Sequence, residues 1–355
     1  MTLLFAALLA LQDPKPPIVL QRDIDDAIKR GADWLLASVQ AGLPESPFHG
    51  AKRMGHEGLV LYTLMHAGID RKDARILKLV ATIKSARPRH TYQAATNAIG
   101  LQAYDTKGDC LADIAVCAQY LVDTQAQNGQ WGYGEPYDIQ APVPTGGGAV
   151  GGAKMAIKRN TGLKRPPNGD NSNSQYAALG LWACEKAGFD IENTVLEAAT
   201  KWWEGCQRED GSWGYCDQGK FDAAQGSYGS MTAGGASSIV LLRQMRGSSA
   251  KTSAVNKAIT WLGAQFAVDK NPAADSGRQV WHFYYLYALE RCGDLLGLDK
   301  IGKWAWYWEG ADWLVKNQKG GQWSGQDPRM VFADTCFAIL FLERAMRVTT
   351  GVEKK

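Results

Sequence analysis

The chain has 355 residues, of which 45% are apolar and 21% are charged, so it can bury a large core and is not a disordered protein. Its 39 basic and 36 acidic residues give a net charge of +3, too small to indicate a nucleic-acid-binding protein. No apolar run reaches the roughly 18 residues of a membrane-spanning helix, and the seven cysteines include no Cys-x-x-Cys pair.

Residues 1–17 begin with an apolar stretch, Met1 to Leu11, followed by a polar, proline-rich linker. The stretch is as long as the core of a secretory signal peptide, which predicts an exported or periplasmic protein. No Lys or Arg precedes it, so the N-terminal helix of a cytoplasmic protein is the alternative interpretation.

Two classes of amphipathic helix alternate along the rest of the chain. Helices of the first class keep a charged face. Five of the six carry an aromatic residue and end near a glutamine. The six lie near residues 34–40, 73–85, 120–125, 202–207, 261–265 and 313–318. The second class is small and apolar nearly all round, and is predicted at residues 55–68, 91–108, 174–188, 230–247, 281–293 and 334–346.

Helices of the second class end in recognisable stop signals. A glycine follows most of them, and each has a basic residue in or near its last turn, as suits the negative end of a helix: His66, Lys107, Lys186, Arg246, Arg291 and Arg344. A helix that is apolar nearly all round must be buried on both sides. We therefore predict an all-α fold, an (α/α)6 toroid in which six inner helices lie inside six outer ones. Residues 18–350 are expected to form this single domain, and residues 351–355 a polar tail.

Three loops that lead from an outer to an inner helix share a glutamine, a glycine and a tryptophan. These are Gln125, Gly129 and Trp131; Gln207, Gly211 and Trp213; and Gln318, Gly321 and Trp323. The glutamine amide is suited to bond free backbone groups at a helix end, the glycine to permit a tight turn, and the tryptophan to pack back over the helix. We expect these segments to clamp neighbouring hairpins together.

At these residues the chain resembles the terpenoid cyclase and protein prenyltransferase superfamily, whose repeats carry this "QW" motif on an α/α toroid. It looks most similar to bacterial single-toroid proteins with prenyltransferase and squalene-oxidase repeats, whose activity is mostly unassigned. The resemblance spans nearly the whole chain and implies the fold, which by itself leaves function open.

The resemblance to squalene cyclases implies an aspartate in a D-x-D-D-T motif that protonates an alkene. The best match is residues 331–335, where Asp334 and Thr335 are retained but Ala333 stands in place of the protonating acid. An alkene is a very weak base, so this mechanism requires a strong acid. A terpene cyclase-like enzyme is therefore one alternative among several.

The resemblance to protein prenyltransferases implies a zinc site made of an aspartate, a cysteine and a histidine. The matching residues are Asp334, Cys336 and His282, in reversed order along the chain. A carboxylate, a thiolate and an imidazole suit a tetrahedral zinc ion with one open position. The alternative is that Cys336 packs as an apolar residue and His282 bonds a backbone carbonyl.

A carbohydrate-active enzyme with two carboxyl groups facing a cavity is a third alternative. Glu57, Asp170 and Asp334 are the candidate catalytic residues. Each also suits the first turn of a helix, as an N-cap or next to the positive helix end.

All six inner helices should begin at one end of the toroid, which we call the mouth, where their positive ends converge. Polar and aromatic candidates for ligand binding there are His56, His90, Tyr92, Asn173, Gln175, Tyr176, Thr232 and Tyr284. Such residues favour a polar or sugar-like small molecule over a polyene, unless they only bond one another. The leading hypothesis is that the mouth binds such a ligand, or a protein partner, in a protein without the classical cyclase acid.

Residues 134–170 form a long Gly/Pro-rich insertion between an outer and an inner helix. Its second half contains Lys154, Lys158, Arg159, Lys164 and Arg165 and no acidic residue between them. We expect the insertion to lie at the mouth, either as a lid that attracts an anionic ligand or as a solvated loop.

Overall fold

The computed structural model describes residues 19–43, 56–144, 154–216 and 226–346, and for His56 and Ser276 the backbone alone. The predicted signal peptide and the tail lie outside these ranges. The described residues contain twelve α-helices, two short strands and two 3-10 turns. In chain order they are α1 (Gln21–Ala41), α2 (His56–His66), α3 (Ala74–Lys84), α4 (Thr91–Tyr104), α5 (Leu111–Thr124), β1 (Met155–Ile157), α6 (Asn171–Lys186), β2 (Phe189–Ile191), α7 (Asn193–Gly205), α8 (Gly229–Met245), α9 (Ser253–Ala264), a 3-10 turn (Ser276–Trp281), α10 (His282–Leu295), α11 (Trp306–Asn317), a second 3-10 turn (Pro328–Met330) and α12 (Val331–Glu343).

The even-numbered helices form a closed inner ring. Each packs against the even-numbered helices before and after it, and α12 packs against α2, which closes the ring. The odd-numbered helices pack on the outside of this ring. The prediction of an all-α toroid with six helical hairpins is confirmed.

The burial pattern explains why the sequence separates into two rings. In α6 every residue from Asn171 to Cys184 is buried, whereas α1 buries one stripe that includes Ile24, Ala27 and Leu35. A helix with a single apolar stripe can face solvent on its other side, and one that is apolar all round cannot.

Glycines let two inner helices approach each other very closely. A Cβ atom on Gly58 of α2 would collide with the backbone of Thr96 and Asn97 in α4, and one on Gly100 would collide with the carbonyl of Gly58. The contact between α2 and α4 therefore depends on the absence of side chains at both positions.

Several predicted helix boundaries are wrong. The helix α4 ends at Tyr104, four residues before Gly108, and α6 begins at Asn171, three residues before the predicted start. The helix α10 continues through Gly293, because Trp306 packs directly on that glycine; the left-handed turn comes later, at Gly297, where φ is 64°. The helix α12 begins at Val331, so Asp334 lies inside its first turns.

The three Gln-Gly-Trp segments make equivalent contacts. The side-chain amide of Gln125 donates to the carbonyl of Gly129 in its own turn (3.1 Å) and to that of Val195 in the next outer helix (2.9 Å). Gln207 does the same to Gly211 and Ala254, and Gln318 to Gly321 and Ala27. Because Ala27 belongs to α1, the third segment joins the last hairpin to the first.

The tryptophans of these segments are fully buried and fasten the loop to its own hairpin. The indole N–H groups of Trp131, Trp213 and Trp323 donate to carbonyls of Leu121, Trp203 and Leu314, all in the preceding outer helix. Their backbone N–H groups donate to hydroxyls of Ser174, Thr232 and Thr335 on the following inner helix. Each loop is thus bonded to both helices of its hairpin.

The insertion at residues 134–170 is only partly at the mouth. Its strand β1 pairs in parallel with β2, which follows the C-terminal end of α6, and Lys154 forms an ion pair with Glu185 in the last turn of α6. This part lies at the end of α6 opposite the mouth, so the expectation that the whole insertion lies at the mouth is wrong.

Two arginines of the insertion bond to the end of α5. Arg159 donates to the side-chain carbonyl of Gln125 (2.8 Å), and Arg165 donates to the backbone carbonyls of Gln125 (2.9 Å) and Ala126 (2.6 Å). These contacts tie the insertion to the outer ring.

No helix in the described ranges is long and apolar enough to cross a bilayer.

Candidate functional site

The space inside the inner ring, which we call the lumen, is filled by aromatic side chains. Tyr92 of α4 and Tyr284 of α10 come from opposite sides of the ring, and their hydroxyl oxygens lie 3.2 Å apart. Tyr176 of α6 packs between them, with ring centroids 4.7 Å from Tyr92 and 5.5 Å from Tyr284. The three tyrosines span the lumen and close it.

A second layer lies deeper in the lumen. Tyr287 of α10 stacks on Phe337 of α12 at 5.6 Å, and Phe337 also meets Tyr284 edge to face at 5.7 Å. Arg291 lies against the face of Tyr287 and donates to the side-chain carbonyl of Gln175 at 2.7 Å. Aromatic side chains and Arg291 therefore occupy this layer of the lumen.

The predicted ligand-binding residues mostly bond one another or their own backbone. Tyr92, Tyr176, Tyr284 and Gln175 belong to the lumen layers just described. Thr232 bonds the Trp213 backbone, and the side-chain amide of Asn173 donates to Asp170 (2.8 Å). His90 is buried immediately before α4, and His56 begins α2, with its side chain outside the described structure.

Asp170 is the N-cap of α6. One of its carboxylate oxygens accepts from the backbone N–H of Asn173 (2.8 Å) and from the Ser172 hydroxyl (2.7 Å). The other accepts from the Asn173 amide. Burial raises the pKa of Asp170, while these hydrogen bonds oppose the increase. The contacts give Asp170 the capping role that the sequence offered as the alternative.

Asp334 is a buried carboxyl group near the mouth, with 1% of its surface exposed. Burial raises its pKa to about 8, so it carries a proton at neutral pH. One oxygen accepts the backbone N–H of Gly325 at 2.8 Å, which opposes that increase. Glu57, the third candidate acid, is half-buried in the first turn of α2.

Asp334, Cys336 and His282 do not come together as a metal-binding group. The described part of the chain has no cluster of three or more His, Cys, Asp and Glu side chains that could hold a metal ion. His282 Nε2 lies 2.9 Å from the carbonyl oxygen of Val268, and burial lowers the pKa of His282 to about 4. Cys336 is fully buried, and burial raises its pKa to about 12, whereas zinc binds the thiolate.

A cavity of about 340 Å³ opens at the mouth side, between the start of α10 and the loop that precedes α12. We call it the mouth cavity. It is lined by two aromatic rings, a histidine, four carboxamides, one acid, one base, a serine and a glycine: Phe283, Trp313, His282, Gln279, Asn317, Gln322, Gln326, Asp269, Lys319, Ser324 and Gly325.

The aromatic wall of the mouth cavity is held rigidly. His282 meets Trp313 edge to face at 4.7 Å between ring centroids, and Phe283 lies 5.9 Å from Trp313. Beside Phe283, Gly325 is fixed by its backbone hydrogen bond to Asp334. Asp334 thus supports the wall from behind and is not itself part of the lining.

Sequence reasoning missed two tyrosines at the mouth. Tyr133 and Tyr215 follow two of the buried tryptophans in the repeated order Trp-Gly-Tyr, and their hydroxyl oxygens lie 3.3 Å apart. Their backbone carbonyls accept the first N–H of α4 from Thr91 (2.8 Å) and of α6 from Asn171 (2.7 Å). The repeated Trp-Gly-Tyr was the signal that could have identified them.

Comparison with solved structures shows the same fold elsewhere. The chain is similar to the type II terpene cyclase MstE from Scytonema in three structures. The D109A variant, in complex with merosterolic acid A, matches with a TM-score of 0.57 and 11% identity over 93% of this chain and 98% of that chain. The D109N variant, in complex with geranylgeranyl dihydroxybenzoate, matches with a TM-score of 0.53 and 10% identity over the same shares. The apo structure gives a TM-score of 0.51 and 10% identity over 93% of this chain and 99% of that chain.

The chain has a terpenoid-cyclase-like toroid fold. No protein-family model and no curated protein sequence matches it. At these identities the likeness extends to the fold, and a fold can carry unrelated sites.

Proposed function

We propose that the protein binds a neutral, hydroxyl-rich small molecule, such as a short oligosaccharide, in the mouth cavity. The observation that supports this most directly is the lining, which combines aromatic faces with four carboxamide side chains. Aromatic faces pack against the C–H faces of sugar rings, and carboxamides both donate to and accept from hydroxyl groups.

The size and charge of the mouth cavity fit the same class of ligand. Its 340 Å³ is within the range of about 300 to 1,000 Å³ of small-molecule sites. The lining includes one acidic residue, Asp269, and one basic residue, Lys319, so their charges balance. A neutral ligand avoids the cost of burying an unpaired charge there.

Isothermal titration calorimetry with cellotetraose, chitotetraose and maltotetraose tests the proposal. We expect one of them to bind, and Trp313→Ala to weaken its binding at least tenfold because the aromatic wall is lost. Gln326→Ala removes an exposed carboxamide from the rim and should weaken binding without affecting folding. Trp308→Ala is the matched control for Trp313→Ala. Both tryptophans lie on α11, and Trp308 is 39% exposed and outside the cavity lining.

Equal affinities for the wild type, Trp313→Ala and Gln326→Ala would contradict a site in the mouth cavity. Absence of binding by all three oligosaccharides would contradict the proposed ligand class.

Acid-catalysed isoprenoid chemistry is a second candidate function, favoured by the fold that the chain shares with a terpene cyclase. In this hypothesis the buried Asp334 becomes exposed to the substrate, which lowers its raised pKa, and gives its proton to an alkene carbon; a proton is lost again from the product. Incubation with squalene or geranylgeranyl dihydroxybenzoate, followed by mass spectrometry of the extract, tests it. Cyclised product from the wild type and none from Asp334→Asn is the expected result; unchanged substrate in both samples would reject this candidate.

A further inference from the structure

Arg291 lies at the centre of the molecule. It belongs to α10, and although the sequence suggests a helix-end cation, its side chain turns into the lumen and is 2% exposed. Its guanidinium lies 4.4 Å from the ring centroid of Tyr287 and 5.7 Å from that of Tyr176. A guanidinium keeps its positive charge in proteins, so the lumen contains a fully buried cation.

No acidic side chain in the described ranges forms an ion pair with this cation. One terminal nitrogen of the guanidinium donates to the neutral side-chain carbonyl of Gln175. The nearby acid Asp294 is paired instead with Arg344. A buried charge is normally paired, so the isolation of Arg291 requires an explanation.

The adjacent Glu290 does not act as the missing counter-charge. One of its oxygens accepts the backbone N–H of Met346 at 2.9 Å, which directs the carboxyl toward the segment after α12. Burial and the neighbouring Asp294 raise the pKa of Glu290 well above its usual range. Burial therefore favours the neutral form of Glu290, although the Arg291 charge lowers its pKa, and we assign the counter-charge of Arg291 elsewhere.

Several buried groups around Arg291 have no hydrogen-bond partner. They are the second terminal nitrogen of Arg291, the amide nitrogen of Gln175, the hydroxyl groups of Tyr176 and Tyr287, and one carboxyl oxygen of the adjacent Glu290. Buried donors nearly always have an acceptor. Four of these five groups are donors close to one positive charge, and a negatively charged acceptor would satisfy them.

We propose that the lumen holds one small monovalent anion, of the size of chloride, bound by Arg291, Gln175, Tyr176 and Tyr287. One uncompensated positive charge matches one negative charge. The anion is small because Tyr92 and Tyr284 close the lumen on one side, and Gln175 lies directly on Gly234 of α8 on another. This site is separate from the mouth cavity and would neutralise the charge at the centre of the ring.

Crystals of the wild-type protein grown in sodium bromide test the proposal directly. Anomalous scattering at the bromine edge should show a peak in contact with the Arg291 guanidinium and the Tyr287 hydroxyl. A water molecule, an ionised Glu290 or an empty space beside Arg291 would overturn the proposal.

Thermal unfolding provides a second test that does not depend on crystals. An anion that binds only the folded protein raises the melting temperature, by about 4 °C when chloride is roughly a hundredfold above its dissociation constant. Potassium chloride is compared with potassium gluconate at equal ionic strength, because gluconate is too large for the lumen. Equal melting temperatures in the two salts would overturn the proposal.

Two variants assign the chloride effect to Arg291. Arg291→Met should remove the chloride-dependent shift while the protein stays folded, since methionine needs no counter-ion. Arg344→Met is the matched control: it deletes a partly buried arginine that already has an acidic partner, Asp294. It should lower the melting temperature in both salts and leave the difference between them intact. A shift that persists in Arg291→Met would locate the anion elsewhere.

Discussion

At the scale of single residues, the structure turns several candidate catalytic groups into structural ones. Asp170 caps α6, and His282 lies against the carbonyl of Val268. Sequence alone offered these roles as alternatives and could not choose between them, because the choice depends on what lies next to each side chain in space. The burial of Asp334 and Arg291 likewise depends on the whole ring.

The protonated state of Asp334 predicts a specific dependence of stability on pH. Its pKa is about 8 in the folded protein and about 3.9 in the unfolded chain. Between these values the folded state binds more protons, so the free energy of unfolding falls as the pH rises, by up to about 1.4 kcal/mol per pH unit. Urea denaturation from pH 5 to pH 8 should show this slope.

Asp334→Asn should reduce that slope, because the amide has nearly the same shape and cannot ionise. Its carbonyl oxygen can still accept the N–H of Gly325. If the slopes of the wild type and Asp334→Asn are the same, Asp334 is already ionised at neutral pH.

At the scale of helices, the sequence predicted the number and order of the helices and their arrangement in an inner and an outer ring. The alternation of apolar and amphipathic helices is a local property, and the glycine stop signals are local too. Gly68, Gly188 and Gly247 take a left-handed φ just past the ends of their helices, as predicted, whereas α4 ends at Tyr104, before the left-handed Gly108. The error at Gly293 arose because a glycine can either end a helix or leave room for a side chain that packs against the helix. At Gly293 that side chain is Trp306.

The close contact between α2 and α4 yields a prediction about inner-helix glycines. Gly58→Ala should destabilise the protein by about 1–3 kcal/mol or more, because the added methyl group meets backbone atoms that cannot rotate away. Gly205→Ala is the control, since that helical glycine has no atom within 4 Å of the added carbon. It should be neutral or stabilise by up to about 1 kcal/mol through helix propensity.

Urea denaturation of both glycine variants at one pH measures these differences. Similar midpoints for Gly58→Ala and Gly205→Ala would show that the two helices can move apart at little cost.

At the scale of the whole molecule, the ring is closed twice. The inner ring closes through α12 against α2, and the outer ring through Gln318, which donates to Ala27 of α1. The side chains show that three tyrosines fill the lumen and that one cavity of about 340 Å³, the mouth cavity, lies beside the ring.

The central claim is that the lumen is closed and that ligands bind in the mouth cavity. Its most direct test is a crystal structure of the protein soaked in turn with cellotetraose, chitotetraose and maltotetraose. We predict sugar density against Trp313 and Gln326, with the Tyr92 and Tyr284 hydroxyls still in contact. Density inside an opened lumen, or no density from any of the three sugars, would contradict the account.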